Sequence, residues 1–520
     1  MTAIAGRDAV ARPLGTSLWW GLVLILAWFG FSAWARPLML PDEGRYVGVA
    51  WEMLRSGDWL VPRLDGLPFF HKPPLFYWIT AASLGLFGPH EWAARLAPLL
   101  GATAAAASLL WLSLRWSTLA TSRLAGGVLL SLPLFFVGAQ FANLDMLVAG
   151  CISVCIVALA HSVLMFERGT DSRAALSVAW LAAGLGILAK GLIGGVLPAL
   201  VVLAWLVASG RLRFIGRLMW WPAMALFVLV TAPWFVAMQL RFPGFFDYFF
   251  VVQHFHRFAQ GGFNNVQPWW FYPAVLAVLG LPWTGWAVAA VRAAWQGRLA
   301  PQPLRSLMLC WMAVVVVFFS LPQSKLIGYV LSAVPPMAWL LADGMGPIGR
   351  RWARWCAVLA LALALGAVTA LAVSGRHSAR PIGLALAAAA TAETPVIFAG
   401  DYLYDVPFYA RTAAPVWVVD DWHSPDVATR DNWRKELADA AAFAPEADRE
   451  RLITPAQLPA RLCAQAGAWL VLPLADAGRF PVLAGRAPQV QADGHGLWRI
   501  DRQESVSAKT LACPGTPNAD

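Results

Sequence analysis

The sequence predicts an all-α polytopic membrane protein with a small soluble α/β domain at its C-terminus. Of 520 residues, 59% are hydrophobic and 13% are charged, whereas an average soluble domain has about 25% charged residues. Twenty-nine tryptophans and a mean hydropathy of +0.60 also indicate a membrane protein, because only a hydrocarbon solvent lets so much apolar surface stay outside one core. This composition excludes an ordinary soluble enzyme.

Positive charge is concentrated in the apolar part of the chain. Residues 1–374 contain 25 basic and 12 acidic residues, a net of +13, while residues 375–520 contain 14 and 17, a net of −3. Lys and Arg in a membrane protein fix its orientation and contact anionic lipid, so this charge does not indicate nucleic-acid binding. We predict a multi-span transmembrane domain over 1–374 and a separate soluble domain over 375–520.

Eleven apolar stretches are predicted as transmembrane helices. Two further stretches, 73–88 and 46–55, are too short to cross, and we predict short interfacial helices there. Thirteen spans remain the alternative. The predicted spans are 17–35, 91–114, 124–141, 145–166, 173–189, 191–209, 218–238, 269–292, 305–321, 326–347 and 352–374.

Arginines recur at every second loop between the predicted spans, a pattern that marks cytoplasmic loops. This places the N-terminus in the cytoplasm and the intervening loops on the far side of a bacterial inner membrane, in the periplasm or its equivalent. The exported parts then include the first exported loop (36–90), the second exported loop (239–268) and everything from residue 375 onwards.

The segment 375–520, called the tail below, alternates strand-like and helix-like patterns, which is typical of an α/β domain. Its only cysteines, Cys463 and Cys513, can form a disulfide if the tail faces an oxidising compartment. The other four cysteines lie in predicted spans and suggest no metal site. The predicted strands are 395–400, 416–419, 469–473 and 497–500, and the predicted helices are 405–411, 432–443 and 455–466.

Charged residues cluster in the first exported loop, and they are functional candidates because charge is costly near a bilayer. Asp42, Glu43 and Arg45 follow the first span, and a carboxylate beside an arginine can serve as a base whose pKa the cation lowers. Lys72 offers a point charge for a phosphate or carboxylate. The structural alternatives are that Asp42 and Glu43 begin a helix and that Lys72 is an interface anchor.

One more carboxylate and several more cations map to the same side of the predicted membrane. Asp145 begins a span, and we predict that it pairs with Arg45, with a helix N-cap as the equal alternative. Together the basic groups predict a pocket for a phosphate such as an anionic lipid headgroup. The further substrate-binding candidates are Lys190, His254, Arg257, Lys325 and Tyr329.

Histidines of the exported loops are the candidate metal ligands. Two histidines at i and i+2, His254 and His256, with His71 as a distant third, form a weak zinc pattern. We therefore predict no obligatory metal, with a divalent ion held by His71 and His254 as the alternative.

Motifs of the first exported loop carry a resemblance to a known family. They read PDEGRY over 41–46, EMLRSGDW over 52–59, VPRLDG over 61–66 and HKPPLFYW over 71–78. These motifs resemble the aminoarabinose transferases of bacterial lipid A modification, relatives of the protein O-mannosyltransferases within the C-type glycosyltransferases. The likeness extends over most of residues 17–345.

The resemblance implies an inverting transfer of a sugar from a polyprenyl-phosphate donor to lipid A or another envelope glycolipid. It implies Asp42 as the catalytic carboxylate, Lys72 as a binder of donor phosphate or acceptor, and Arg45 with Asp145 as a supporting pair. The positions expected to touch the lipid phosphate are Tyr329 and Arg257.

Two residues depart from the family's motifs. His71 stands where the family typically has an acidic residue before the Lys-Pro-Pro run, and Gly44 replaces a usual threonine. The first departure removes a carboxylate from a candidate metal position, and both bear on the identity of the acceptor.

The residues predict the same chemistry without the resemblance, because basic groups can hold a phosphate leaving group while a carboxylate orients or deprotonates the nucleophile. Two alternatives stay open: transfer to Ser or Thr of exported proteins, and a non-catalytic flippase of lipid-linked sugar. A flippase predicts charged residues at mid-span rather than at helix ends, and the sequence has almost none there.

Overall fold

The structure, a computed structural model, is predominantly helical. In the described part of the chain, β-strands are confined to the first exported loop and the tail. The described residues are 15–256, 265–297, 299, 302–391, 394–412, 415–507, 510–511 and 513.

Helices α1 to α12 account for most of the chain before the second exported loop. They are α1 Gly15–Gly30, α2 Asp42–Ser56, α3 Leu75–Phe87, α4 Glu91–Ala94, α5 Leu96–Trp116, α6 Leu119–Ser131, α7 Pro133–Ala139, α8 Leu144–Glu167, α9 Arg173–Lys190, α10 Ile193–Ala208, α11 Ile215–Leu218 and α12 Trp221–Arg241. A π-helix follows at Asp247–His256, and later helices are Phe271–Leu279, Trp283–Trp286, Ala287–Trp295, Arg305–Ser320, Ile327–Ala333, Val334–Gly344 and Pro347–Ser374.

Among the described residues, five helices are long and apolar enough to cross a membrane, and two bent pairs raise the number to seven. All eleven predicted spans coincide with helical segments, but two of them are not straight. The pair α6 and α7 bends by 59°, and the pair Phe271–Leu279 and Trp283–Trp295 bends by 105°. Pro133 and Pro282 lie at these breaks, where proline lacks the N–H that would continue a helix.

Both short helices predicted in the first exported loop are present as α2 and α3. Helix α2 begins at Asp42 rather than at residue 46. The earlier start follows from Asp42 and Glu43, because acidic side chains are favourable in the first turn of a helix. The helix ends at Gly57, whose φ of +71° lies in the left-handed region that favours glycine.

The tail contains a sheet of six described strands in the order β5-β4-β3-β6-β8-β7. Strands β3 to β6 pair in parallel, whereas β8 is antiparallel to β6 and β7. The four predicted strands are present, and the structure adds the short strands β5 and β7. The strands are β1 Arg63–Leu64, β2 Leu67–Pro68, β3 Val396–Ala399, β4 Trp417–Val419, β5 Leu452–Ile453, β6 Gly467–Pro473, β7 Val490–Ala492 and β8 His495–Asp501.

Helices and one disulfide complete the tail. The disulfide joins Cys463 to Cys513, the pair that the sequence predicts for an oxidising compartment. The helix Trp433–Ala442, called the tail helix below, falls within the predicted helix 432–443. The other tail helices are Arg380–Ala389, Val406–Ala410, Asp426–Thr429, Glu446–Arg449, Leu458–Cys463 and Arg502–Ser507.

The tail packs directly on two glycines of α2, Gly44 and Gly48. A Cβ atom at Gly44 would lie 2.8 Å from the backbone nitrogen of Asp405, and one at Gly48 would lie 3.2 Å from the carbonyl oxygen of Tyr404. The first distance is too short for any side chain, so glycine permits this approach of the two backbones. We call Gly44 and Gly48, one turn apart, the glycine face of α2.

A buried charge network fixes another side of α2. The carboxylate of Glu43 accepts hydrogen bonds from Arg36 and Arg95, and all three side chains are at most 2% exposed. The backbone N–H groups of Met39 and Ala142 donate to the same carboxylate at 3.0 and 2.7 Å. Buried charges persist when they are paired and fully hydrogen-bonded, as this carboxylate is.

The network shows that the predicted role of Glu43 in substrate binding is wrong. Its side chain is fully buried and enclosed by two guanidinium groups. Burial raises the pKa of a carboxyl, but Arg36 and Arg95 outweigh burial and hold the pKa of Glu43 at about 2. Glu43 therefore anchors α2 rather than contacting a ligand.

Replacing Glu43 with glutamine should destabilise the protein strongly. The substitution leaves two buried guanidinium groups without a counter-charge, which costs about 3 to 5 kcal/mol. The midpoint of thermal unfolding in detergent should fall accordingly. The matched control is Asp171→Asn, because the Asp171–Arg173 pair is more than half exposed and should contribute little. An unfolding midpoint of the Glu43→Gln protein equal to that of wild type would contradict this role.

Candidate active site

A cleft lies between the first exported loop, the start of α8, the end of α9 and the tail. It unites side chains from across most of the chain, and most of the charged candidates predicted from sequence are among them. The lining residues are Asp42, Arg45, Tyr46, Phe69, His71, Lys72, Asn143, Leu144, Asp145, Lys190, Leu326, Tyr329 and Glu436.

Arg45 lies between two carboxylates on one wall of the cleft. Its Nη2 donates to Asp42 and its Nη1 donates to Glu436 of the tail helix. The side chain of Asp42 is 34% exposed, whereas that of Glu436 is 6% exposed. The rings of Tyr46 and Tyr404 lie 5.0 and 5.7 Å from the guanidinium carbon of Arg45, a distance at which aromatic faces attract a cation. Asp42 is therefore a paired carboxylate with open surface.

A second ion pair joins Asp145 to Lys190. The amine of Lys190 also lies 4.4 Å from the ring centroid of Tyr329. Asn143 caps α8, because its Oδ1 accepts a hydrogen bond from the backbone N–H of Asp145 at 2.9 Å. A Cβ atom at Gly328 would lie 2.4 Å from Oδ2 of Asp145, so only glycine fits beside this pair.

These contacts correct two predictions for Asp145. It pairs with Lys190 rather than with Arg45, because the last residue of α9 meets the first turn of α8. The N-cap of α8 is Asn143 and not Asp145. Lys190 is paired and only 13% exposed.

Lys72 and His71 line the cleft just after β2. The ring of His71 stacks on Phe69 with centroids 4.6 Å apart and lies 6.0 Å from the ring of Tyr248. Among the residues that the structure describes, no three His, Cys, Asp or Glu side chains form a group that could hold a metal ion. The side chain of His254, the other predicted metal ligand, lies outside the described residues.

Lys325 is a predicted substrate-binding residue that lies away from the cleft. Its side chain is buried, and its Nζ donates to the carbonyl oxygens of Pro322 and Gln267 at 2.5 and 2.8 Å. These bonds fix the turn before the helix Ile327–Ala333, so the predicted role of Lys325 in substrate binding is wrong. The predicted candidate Arg257 lies outside the described residues.

Glu436 is the site residue that the sequence did not indicate. It follows the N-cap Asn432 and lies in the first turn of the tail helix, where an acidic residue is ordinary. Its sequence signal is therefore that of a helix start. Only the packing of the tail on α2 brings it to Arg45.

The cleft combines positive charge with one open carboxylate. Lys72, Lys190 and Arg45 are cationic groups of the kind that bind phosphate, and they lie in a wall shared with Asp42. This arrangement can hold a phosphate while a carboxylate acts on a group bonded to it.

Comparisons with known proteins agree with this chemistry. Residues 71–236 match the family described as dolichyl-phosphate-mannose-protein mannosyltransferase. Over 339 residues, the chain is 37% identical to undecaprenyl phosphate-alpha-4-amino-4-deoxy-L-arabinose arabinosyl transferase 1 of Sodalis glossinidius, covering 63% of this chain and 59% of the relative. The resemblance predicted from the sequence is confirmed. A transferase of corresponding name from Pectobacterium carotovorum is 34% identical over 352 residues, covering 65% of this chain and 61% of the relative.

The fold is shared over nearly the whole chain, including the tail. The crystal structure of ArnT from Cupriavidus metallidurans bound to undecaprenyl phosphate superimposes with a TM-score of 0.75 and 23% sequence identity, covering 97% of this chain and 100% of that chain. In sequence, by contrast, the chain spans about six-tenths of the length of the two transferases that it matches. The chain is thus a multi-pass membrane protein with the fold of ArnT.

Alanine at position 328 should disturb the Asp145–Lys190 pair. The added Cβ would lie 2.4 Å from the Asp145 carboxylate, and relief of such overpacking costs about 1 to 3 kcal/mol. We expect a lower midpoint of thermal unfolding in detergent. The matched control is Gly127→Ala in α6, where a Cβ meets no atom within 4 Å, so its midpoint should be unchanged or higher. Equal midpoints for the two variants would contradict the close contact.

Proposed function

We propose that the chain is a membrane glycosyltransferase that moves a sugar from a polyprenyl-phosphate donor to a periplasmic acceptor. The observation that carries this proposal is the cleft, in which the open carboxylate of Asp42 lies beside the cationic groups of Arg45, Lys72 and Lys190. The names of the aminoarabinose transferases and the undecaprenyl phosphate bound to ArnT support this class of donor.

Each group in the cleft has a role in the proposed transfer. As the bond between the sugar and the donor phosphate breaks, the electron pair goes to the phosphate, and Lys72 and Lys190 stabilise its growing charge. The acceptor oxygen bonds to the opposite face of the sugar, which inverts the configuration. Asp42 takes the proton of a hydroxyl acceptor. If the acceptor is a phosphate of lipid A, Asp42 instead stabilises the oxocarbenium-like sugar.

We propose eleven spans over residues 1–374 and an exported α/β domain over 375–520. This topology places the arginine-rich loops in the cytoplasm and the cleft in the periplasm of a bacterial inner membrane. The Cys463–Cys513 disulfide supports the assignment, because disulfides persist in oxidising compartments. A polyprenyl donor reaches such a cleft from within the membrane.

Lipid A or another envelope glycolipid is the acceptor that we propose. The match to the aminoarabinose transferases extends over 339 residues, whereas the mannosyltransferase family matches residues 71–236. Transfer to Ser or Thr of exported proteins is the second candidate, on the basis of that shorter match. A flippase is not favoured, because the ion pair of Asp145 and Lys190 lies at helix ends rather than at mid-span.

Asparagine at position 42 should abolish transfer while leaving the fold intact, because the Asp42 side chain lies in the cleft and not in a packed core. Lipid A and bulk exported glycoconjugates from cells with wild type or variant are compared by mass spectrometry. A pentosamine- or hexose-sized mass on lipid A should disappear in the variant. Asp171→Asn serves as the control and should retain the modification.

The outcomes separate the candidate acceptors. Unaltered lipid A together with a loss of sugar from exported proteins would keep the transferase class and move the acceptor to Ser or Thr. Substantial transfer by the Asp42→Asn protein at wild-type abundance would remove Asp42 from the catalytic role.

Alanine at position 72 should weaken binding of undecaprenyl phosphate to the purified protein. The loss of one charge-assisted hydrogen bond, about 1.5 to 3 kcal/mol, corresponds to a Kd raised by roughly 10- to 150-fold. Titration of the protein in detergent with undecaprenyl phosphate gives the Kd. Arg430→Ala removes a cation that is 71% exposed in the tail and should leave the Kd unchanged. A wild-type Kd for the Lys72→Ala protein would exclude Lys72 as a phosphate ligand.

A further inference from the structure

The tail supplies one wall of the cleft through Glu436. This residue and Arg45 are 391 positions apart in the chain, yet their side chains form an ion pair that is mostly shielded from water. The hydroxyl of Tyr404 donates to the other oxygen of Glu436 at 2.6 Å. Both oxygens of this carboxylate are therefore engaged, and its position is fixed by two independent contacts.

Arg45 is held through its two terminal nitrogens. Nη1 bonds to Glu436 and Nη2 bonds to Asp42, while Nε is buried without a hydrogen-bond partner among the described residues. A guanidinium group presents parallel N–H bonds that match both oxygens of one carboxylate in a bidentate fork. Here the two terminal nitrogens bond to different carboxylates, and Arg45 contacts Asp42 through Oδ1 alone in the part of the chain that is described.

We propose that Glu436 is a positioning residue that fixes the orientation of Arg45 against Asp42, an inference that rests on the proposed function of the cleft. Glu436 holds one terminal nitrogen of Arg45, and the other terminal nitrogen bonds to Oδ1 of Asp42. Without the negative charge of Glu436, the guanidinium group loses this fixed orientation, and the Asp42 carboxylate loses the partner that aligns it for the transfer. The tail is thus a part of the active site and not only a cover over it.

The packing of the tail supports this arrangement from two sides. The glycine face of α2 lets the backbone of residues 404–405 approach closely, and this brings Tyr404 beside Arg45. On the tail helix, Asp439 accepts a hydrogen bond from the hydroxyl of Tyr248 at 3.1 Å. The tail helix therefore contacts both exported loops. Its position against α2 is fixed by the Tyr248–Asp439 hydrogen bond as well as by the Arg45–Glu436 pair.

The test is the steady-state kinetics of sugar transfer by purified Glu436→Gln protein. Glutamine keeps the size of the side chain and an acceptor for the Tyr404 hydroxyl, so the fold should be retained. We expect kcat to fall by about 10- to 100-fold. The KM for the donor should stay within about twofold, because Lys72 and Lys190 are unchanged.

A second readout distinguishes positioning from a merely structural role. If Glu436 acts through its charge on Arg45, the fall in kcat in the Glu436→Gln protein should exceed any loss of folded protein. Glu436→Asp restores the charge and should recover part of kcat. Asp426→Asn, at an exposed tail ion pair, is the control and should match wild type.

Two results would overturn the inference. One is a wild-type kcat in the Glu436→Gln protein. The other is a fall in kcat that only follows the loss of folded protein and is not partly recovered in the Glu436→Asp protein. Either result leaves the proposed transfer intact, because wild-type activity establishes that separately.

If the wild type transfers no sugar, the proposed function is refuted. The pairing of Arg45 with Glu436 can then still be tested by a double-mutant cycle of thermal unfolding. The cycle compares wild type, Arg45→Gln, Glu436→Gln and the double variant in detergent. Non-additive changes in the unfolding midpoint support the pairing of Arg45 with Glu436. Additive changes overturn it.

Discussion

The carboxylate of Glu43 is the interaction on which the cleft depends. It joins the segment after α1 through Arg36, the start of α5 through Arg95 and the segment before α8 through the backbone N–H of Ala142. In an apolar protein this ion network fixes α2 against three other elements, because separating the charges would leave them buried and unpaired. The neighbouring residues Asp42 and Arg45 consequently have a rigid base.

The site itself follows the same electrostatic rule with less burial. Two of its ion pairs, Arg45 with Asp42 and Lys190 with Asp145, line the cleft with both of their members. Pairing offsets part of the cost of placing charges next to a bilayer. Incomplete burial leaves them able to exchange a protein partner for a ligand. The buried network gives α2 rigidity, and the less buried pairs line the cleft.

Much of this arrangement follows from local sequence. Helical segments at all eleven apolar stretches, both short helices of the first exported loop and four strands of the tail are predicted from hydrophobic runs and turn residues. The convergence of Asp42, Lys72 and Lys190 in the cleft is also predicted from the sequence, because the charge of the loops assigns all three to one side of the membrane. The bends at Pro133 and Pro282 also arise from local sequence. A single proline hardly changes the mean hydropathy of a stretch, so hydropathy alone does not indicate them.

Partners that depend on packing could not be predicted. Glu43 and Asp42 are adjacent acids with the same local signal, and only the fold buries one and opens the other. In the sequence, Lys325 resembles a further cation of the pocket. In the structure, its amine donates to the carbonyl oxygens of Pro322 and Gln267. Glu436 is indistinguishable from any acid in a first helical turn until the tail reaches α2.

The separation of Arg45 and Glu436 along the chain has a consequence for biosynthesis. Ribosomes add about 5 to 20 residues per second, so the 391 residues between the two take roughly 20 to 80 s to synthesise. During that interval Arg45 has Asp42, three residues away, as its near partner. The wall of the cleft that Glu436 supplies is therefore completed only when the last part of the chain has been synthesised and folded onto α2.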